Sequence, residues 1–298
     1  MKVGIDLGGT KIEIVVLDVN NQVMFRERID TPQDHYEKTV EAIVSLVRDT
    51  ESLYGPFSHI GVGIPGAISK KTGKIKNANS TCLIGQDLQG DLATQLNMTV
   101  RLANDANCLA LSEASDGAAA GEEVVFGVII GTGCGGGLVV DGHIVNGLNA
   151  IAGEWGHNPL PWRTSHDIEH ECYCGLTGCL ETFLSGPGLS KHYEMVSGEI
   201  LTAKEIAAFA KQDNIAAQEM LEIYATWLAK GLASIINIID PDVIVLGGGL
   251  SNIEFLYQRV PEIWGQWVFS DYVETRLVPP KWGDSSGVRG AAWLSKAD

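Results

Sequence analysis

The 298-residue sequence contains no run of about 18 apolar residues, the length that a helix needs to cross a bilayer. Basic residues are scarce, because 21 Lys and Arg stand against 37 Asp and Glu, which gives a net charge of −16. A chain this acidic is repelled by nucleic acid, so we expect neither a nucleic-acid partner nor a membrane partner. Low-complexity linkers are absent and 45% of the residues are hydrophobic, which excludes an intrinsically disordered chain.

The first residues also contain no signal-peptide core, because Lys2 and the acidic Asp6 interrupt the apolar residues there. Without an export signal we expect a cytoplasmic protein. The six cysteines are then expected to stay reduced rather than to form disulfides, which raises the question of a metal site.

Glycine, in contrast, is abundant, and its 35 residues cluster in turns. Residues 3–18 read as a strand, a turn at Gly8-Gly9-Thr10 and a second strand. Residues 125–140 repeat this pattern around Gly131-Thr132-Gly133. Two copies of one unit indicate a duplicated fold with two lobes and a cleft.

Helices alternate with strands in the rest of the chain, which predicts an α/β fold with partly parallel sheets. Apolar spacing predicts a helix over residues 36–53, with Asp34 as its N-terminal cap. A second helix is predicted over residues 104–115. We place the boundary between the lobes after it, giving an N-terminal lobe of residues 1–118 and a C-terminal lobe of residues 119–298, whose last helix is expected to pack on the N-terminal lobe.

Each glycine turn is suited to phosphate, because its backbone N–H groups can form a concave anion site that a phosphate can approach closely. The alternative is a tight hairpin that requires glycine for its backbone conformation. Both turns lead into strands, which excludes the Walker and dinucleotide-binding patterns. Asp6, just before the first turn, is a candidate for binding Mg²⁺ through water, or else a satisfied polar residue at a strand end.

Asp105 follows a short strand and begins a predicted helix, within the string Asn104-Asp105-Ala106-Asn107. One interpretation is that Asp105 caps the helix. The other is that it acts as a general base, accepting a hydroxyl proton during phosphoryl transfer while Asn104 hydrogen-bonds the acceptor. The local sequence leaves both interpretations open.

His157, Cys172, Cys174 and Cys179 form a Cys₃His set, in which three thiols fall within eight residues separated by glycines. Four such ligands complete a tetrahedral structural Zn²⁺ site. The alternative is three reduced cysteines, or a disulfide, in a loop. Around this loop lie Glu154 and Glu181, whose carboxylates can accept hydrogen bonds from a polyhydroxylated ligand; otherwise they are surface carboxylates.

Taken together, these motifs resemble the ROK family within the actin/hexokinase-like ATPases, over Val3 to Trp293. The residues that carry the resemblance are Gly4–Lys11, Gly61–Gly66, Gly131–Gly137, Glu154, Gly156, His157, the Cys loop ending at Glu181, and Asp240-Pro241 followed by Gly247–Gly249. The resemblance implies two ribonuclease-H-like lobes with a zinc-bound loop, and favours Asp105 as the catalytic base.

The resemblance further implies an ATP site and a sugar site. The ATP-binding residues are expected to be Gly4, Ile5, Asp6, Leu7, Gly8, Gly9, Thr10, Lys11, Gly131, Thr132, Gly133, Cys134, Gly135, Gly136, Gly137, Gly247, Gly248 and Gly249, the last three on the adenosine side. The sugar-binding residues are expected to be Asn79, Asn104, Asp105, Glu154, His157 and Glu181. His157 would contact zinc through one ring nitrogen and the sugar through the other.

The implied activity is the ATP- and Mg²⁺-dependent phosphorylation of a hexose at its 6-hydroxyl, with Zn²⁺ in a structural role. The strings Lys76–Thr81 and Gly283–Trp293 are most similar to those of bacterial fructokinases of the manno(fructo)kinase type, so fructose is the first expectation, with mannose and glucose as further hexoses. The alternatives are an N-acetylglucosamine kinase or glucokinase of the same family, or a non-catalytic sugar sensor. Family resemblance also implies a homodimer.

Overall fold

A computed structural model describes residues 1–78 and 80–294. In this part of the chain the strands are β1 (Lys2–Leu7), β2 (Lys11–Leu17), β3 (Val23–Asp30), β4 (His59–Ile64), β5 (Ala67–Ile68), β6 (Ile75–Lys76), β7 (Thr99–Asn104), β8 (Val124–Ile130), β9 (Cys134–Val140), β10 (His143–Ile144), β11 (Val243–Gly247) and β12 (Arg276–Val278). The α-helices are α1 (Tyr36–Tyr54), α2 (Leu88–Leu96), α3 (Asp105–Asp116), α4 (Glu181–Leu184), α5 (Gly186–Ser197), α6 (Ala203–Ala210), α7 (Ile215–Ile239), α8 (Phe255–Ile263) and α9 (Ser286–Leu294).

The chain forms two compact units whose boundaries differ from the simple division at residue 118. The first unit contains Met1–Ala120, Gly142–Ala152 and the C-terminal segment that begins at Asp284. The second contains Gly121–Asp141 and Gly153–Gly283. A sequence cut into two consecutive pieces cannot reproduce this division, because the chain returns twice to the first unit.

In the first unit, one sheet has the strand order β3-β2-β1-β4-β7. Strand β2 runs antiparallel to both β1 and β3, whereas β4 pairs in parallel with β1 and with β7. The helices α1 and α2 contribute Ile43, Val47 and Leu92 to the core beside this sheet. Helix α9 packs closely on β1, since a Cβ at Gly4 would lie 2.3 Å from the Ala292 nitrogen. Glycine is therefore required there for the helix to approach the strand.

In the second unit, the strands follow the order β9-β8-β11-β12, with β8 and β9 antiparallel and β11 and β12 parallel. This is the order of β2-β1-β4-β7 in the first unit, so the duplication and the α/β fold class are confirmed. Helix α7 is the longest element of the core, and its Asn214 side chain caps it by accepting a hydrogen bond from the Ala217 N–H at 2.9 Å. No helix among the described residues is long and apolar enough to span a bilayer.

The predicted cap of the first long helix is wrong by one residue. Helix α1 is preceded by His35 as its N-cap residue, with no side-chain capping bond. Asp34 instead adopts a left-handed backbone conformation, with φ of 60°. Aspartate tolerates this conformation better than most residues, and the turn it forms there moves its side chain out of the capping position.

The second unit buries His192 of α5 among aromatic rings. Its ring stacks on Phe183 with centroids 5.1 Å apart, and lies 4.6 Å from Trp227 and 4.8 Å from His170. Burial lowers the pKa of His192 to about 4, with a further contribution from the charges of His170 and Lys191. The folded protein therefore holds this histidine neutral.

We expect His192 to make the protein less stable in acid. Between pH 6.5 and pH 4 the unfolded chain protonates this histidine and the folded chain does not, so the free energy of unfolding falls as the pH falls, by up to about 3 kcal/mol. His192→Gln should therefore reduce the pH dependence of unfolding, measured with denaturant between pH 7 and pH 4. His166→Gln, at an exposed histidine, is the control. An unchanged pH dependence in His192→Gln would contradict the assignment.

Candidate active site

The first glycine turn joins β1 to β2 as a tight hairpin. The Gly8 N–H donates to the Lys11 carbonyl at 2.9 Å, and the Thr31 hydroxyl donates to the Gly8 carbonyl at 2.8 Å. Gly9 and Thr10, at the tip, are exposed to solvent. The turn is therefore a tight hairpin, and its tip is also accessible to a ligand such as phosphate. The two interpretations of this turn are compatible.

The strand residues of the first motif are buried, unlike those of its turn. Gly4, Ile5 and Leu7 lie inside β1, and Leu7 also lines a cavity beside the turn. Asp6 lies near the end of this strand, and its carboxylate is close to Gly63 and Gly287, whose Cβ positions would be 3.4 Å and 3.6 Å from its oxygens. Small residues thus leave room around this carboxylate.

Asp6 and Asp105 are electrostatic neighbours in the first unit. Burial, together with the negative charges of Asp105 and Glu13, raises the pKa of Asp6 from 3.8 to about 7, against the opposing effect of Arg28. A divalent cation beside Asp6 would relieve this repulsion, and carboxylate oxygen is a ligand that Mg²⁺ accepts, directly or through water. The donor chemistry therefore fits the magnesium role expected of Asp6.

The start of α3 separates the two interpretations of Asp105. The N-cap residue is Asn104, whose side-chain oxygen accepts hydrogen bonds from the N–H groups of Ala106 at 2.8 Å and Asn107 at 3.4 Å. Asp105 is the first residue of the helix, and one carboxylate oxygen accepts from the Ala106 N–H at 2.8 Å. The capping position therefore belongs to Asn104, not to Asp105.

Asn79, expected to contact sugar, lies outside the described residues.

A cavity of about 320 Å³ opens beside the first glycine turn. Its lining includes Gly9 and Thr10 of the turn and the hydroxyl-bearing Thr31, Ser80 and Thr81. Thr31 is not among the residues predicted from the sequence to bind a ligand. It lies in the connection between β3 and α1, and no local sequence pattern indicates that it lines the cavity.

The second glycine turn, in the second unit, contacts Glu181, whose carboxylate is predicted to bind the sugar. The Cys134 N–H donates to a carboxylate oxygen of Glu181 at 3.0 Å, and the Gly186 N–H donates to the Gly131 carbonyl at 2.7 Å. Thr132, at the tip, is exposed. The second glycine motif and Glu181 are distant in the sequence, but they are in direct contact in the structure.

The two residues that follow Glu154 in the chain, Trp155 and Gly156, contact the second glycine motif. The Trp155 indole N–H donates to the Gly135 carbonyl at 2.9 Å, and a Cβ at Gly156 would lie only 1.9 Å from the Cys134 carbonyl oxygen. Gly136 also packs closely, since its Cβ would lie 2.7 Å from the Gly153 carbonyl oxygen. Gly136 of the second motif thus allows two backbone segments to pack closely.

The adenosine-side turn predicted at Gly247–Gly249 lies next to the second glycine turn. Strand β11 pairs in parallel with β8, which brings Gly247 opposite Ile129. Gly248 has a positive φ of 83°, and a Cβ there would be 2.5 Å from the Ile130 carbonyl oxygen. A side chain is excluded at this position, so the two turns can lie side by side at the ends of adjacent strands.

His157, Cys172, Cys174 and Cys179 form a cluster whose candidate ligand atoms all lie within 4.8 Å of one another. The Cys174 and Cys179 sulfurs are 3.6 Å apart, and the His157 Nδ1 is 3.7 Å from the Cys172 sulfur. A tetrahedral zinc ion with Zn–S bonds of about 2.3 Å needs sulfurs about 3.8 Å apart. The cluster therefore has the donor set and the dimensions of a structural zinc site.

The second ring nitrogen of His157 has a neighbour that the sequence analysis missed. The His157 Nε2 lies 3.1 Å from the Tyr173 hydroxyl, and the two rings meet edge to face. In this structure a tyrosine hydroxyl therefore occupies the place where a sugar contact was expected. In the sequence, Tyr173 could have been recognised as a neighbour of His157 only from its position between Cys172 and Cys174.

The duplicated sheet units, a glycine turn in each and the Cys₃His cluster beside Glu181 define an α/β protein of the actin/hexokinase-like class. The sequence profile of the ROK family matches residues 2–298. An N-acetyl-D-glucosamine kinase from Photobacterium profundum is 39% identical over 99% of both chains. The chain belongs to the ROK family, and its fold is that of the ROK sugar kinases.

Solved structures agree with this assignment. A ROK hexokinase from Thermus thermophilus is 30% identical and has a TM-score of 0.87 over 99% of this chain and 98% of that chain. A ROK family glucokinase from Streptomyces griseus, in complex with glucose and AMPPNP, is 25% identical with a TM-score of 0.80 over 99% and 98% of the two chains. The predicted family and fold are confirmed.

Proposed function

We propose that this ATP-dependent sugar kinase phosphorylates N-acetyl-D-glucosamine at its 6-hydroxyl, giving the 6-phosphate and ADP. The Photobacterium relative, which matches almost the whole chain, is named an N-acetyl-D-glucosamine kinase. Fructose was the first expectation from short motif strings, and the relatives do not support it. The alternative drawn from the same family resemblance is the better supported substrate.

The observation that carries the kinase proposal is the hydrogen bond between Glu181 and the Cys134 N–H at 3.0 Å. It places a carboxylate suited to sugar hydroxyls directly on a backbone turn suited to phosphate. An enzyme that joins a sugar to a phosphoryl group needs these two recognition elements side by side.

In the proposed reaction the Asp105 carboxylate takes the proton of the 6-hydroxyl as its oxygen bonds to the γ-phosphorus. The bond from this phosphorus to the bridging oxygen breaks, and ADP leaves. The turns at Gly8–Thr10 and Gly131–Gly133 hold the phosphates, and Gly247–Gly249 holds the adenosine side. When bound near Asp6, Mg²⁺ supplies positive charge to the phosphate oxygens.

Sugar contacts are assigned to Asn104, Glu154, His157 and Glu181, with Asn79 as a further candidate. Their carboxylate, amide and imidazole groups offer the mixed donors and acceptors that a hexose requires. Excluding water from the site prevents it from competing with the sugar as phosphoryl acceptor.

Release of ADP, measured against N-acetylglucosamine, glucose, mannose and fructose, tests this function. We expect the highest kcat/KM with N-acetylglucosamine, by roughly tenfold or more, because a site that hydrogen-bonds a substrate group discriminates strongly against analogues without it. A highest value for fructose would restore the first expectation. No sugar-dependent ADP release, together with sugar binding by calorimetry, would indicate a non-catalytic sensor.

A further inference from the structure

One turn of helix α7, Trp227–Gly231, lies against both segments that carry the carboxylates assigned to the sugar. A Cβ at Gly231 would be 2.9 Å from the Cζ3 atom of Trp155 and 3.1 Å from a methyl carbon of Leu180. Both of these side chains are buried, at 3% exposure each. Trp155 directly follows Glu154 in the chain, and Leu180 directly precedes Glu181. We call Trp227–Gly231 the platform turn.

Trp155 has little freedom to move away from the platform turn. Its indole N–H donates to the Gly135 carbonyl at 2.9 Å, and its ring meets Phe126 edge to face with centroids 6.2 Å apart. A methyl group at Gly231 would displace the indole and, with it, the backbone that holds Glu154. Glycine is among the poorest helix formers, so its presence in mid-helix is explained by this close contact rather than by the helix itself.

The platform turn also holds the loop between His157 and Cys172. The Trp227 indole N–H donates to one carboxylate oxygen of Asp167 at 2.6 Å, and the Lys230 ammonium lies 3.3 Å from the other. The Lys230 and Asp167 side chains are only 6% and 9% exposed. Asp167 also accepts hydrogen bonds from the Thr164 N–H and hydroxyl at 2.7 and 3.0 Å. This network fixes the middle of a loop whose two ends are the first two zinc ligands.

We propose that Gly231, together with the buried Lys230–Asp167 pair, positions Glu154 and Glu181 for binding the hexose. The proposal rests on the proposed function, because it assumes that these two carboxylates contact the sugar. Gly231 and Lys230 touch no substrate. They are positioning residues, and their contacts lead to the segments at Glu154, Glu181 and the zinc loop.

Gly231→Ala tests the proposal directly. We expect the KM for the hexose to rise by roughly tenfold or more, because displacements below 1 Å in a site already cost rate and affinity. The KM for MgATP should change less than the hexose KM, because Trp155 and Glu181 also bond to the second glycine motif while the first glycine turn belongs to the other unit. The zinc content should remain one equivalent by elemental analysis. Gly265→Ala is the matched control, since a Cβ there meets no atom within 4 Å. Its hexose KM should equal that of the wild type.

Asp167→Asn is the second variant and decides the matter if Gly231→Ala does not fold. It keeps the side-chain volume but removes the charge that pairs with Lys230, and the hexose KM should again rise more than the KM for MgATP. An unchanged hexose KM in folded Gly231→Ala, or in Asp167→Asn, would overturn the proposal. Equal changes in both KM values would also overturn it, because they would indicate a general structural role.

The wild-type enzyme separates this result from the function itself. The hexose that the wild type phosphorylates best is used for all variants, whichever sugar it is. An inactive wild type would refute the proposed function, whereas an active wild type with unaffected variants would refute only the positioning role.

Discussion

Asp105→Asn is expected to lower kcat by about 10²–10⁴-fold, the usual contribution of general acid–base catalysis. Asparagine keeps the shape of aspartate but cannot accept the proton of the attacking hydroxyl. Sugar affinity should stay nearly unchanged, because the amide oxygen can still accept a hydrogen bond. The helix start should also survive, since its cap is Asn104, which accepts from the Ala106 and Asn107 N–H groups.

The measurement combines steady-state ADP release with calorimetric titration of the hexose. Asp49→Asn, an exposed aspartate on α1, is the control and should retain wild-type kcat. Near-normal turnover in Asp105→Asn would end the assignment of Asp105 as the base. Loss of sugar binding together with turnover would instead make Asp105 a binding residue.

Cys174→Ser is expected to remove zinc and stability together. The cluster offers four ligand atoms within 4.8 Å, and serine replaces one thiolate with a much poorer zinc ligand. Zinc binding contributes about 10–16 kcal/mol in small zinc modules, so we expect the free energy of unfolding to fall by several kcal/mol. The hexose KM should rise as well, because Glu181 lies two residues after Cys179.

Elemental analysis and thermal unfolding measure these effects. Cys82→Ser is the matched control, since Cys82 is a free cysteine outside the cluster. It should keep one equivalent of zinc. An unchanged zinc content in Cys174→Ser, or a wild-type protein purified with no zinc, would refute the ligand assignment.

The local sequence predicted the Cys₃His cluster well, because three of its four candidate ligands fall within eight residues and a short loop must bring them together. It predicted helix starts less well. Asp34 and Asp105 were both candidate caps, yet the caps are His35 and Asn104. The cap is decided by which residue has the non-helical backbone angles before the first turn, and a sequence window does not fix these angles to one position.

Substrate identity was the other uncertain prediction. The strings that suggested fructose, Lys76–Thr81 and Gly283–Trp293, are short and cover only a small part of the chain. Discrimination between hexoses depends on a few contacts to hydroxyl and acetamido groups, which come from segments distant in sequence. Relatives that match almost the whole chain are named N-acetyl-D-glucosamine kinases, which is why N-acetylglucosamine replaces fructose in the proposed function.

By itself, the sequence determined the α/β class, the duplicated glycine turns and the Cys₃His set, because each depends on periodicity or on residues close together in the chain. Asp105 as the base stays a prediction that rests on the family resemblance. Only the tertiary structure decided that Glu181 bonds to the second glycine turn, that Tyr173 faces His157, and that Gly231 lies against Trp155 and Leu180. These contacts join residues far apart in the sequence. They exist only after the sheet and α7 have packed, so no local pattern records them.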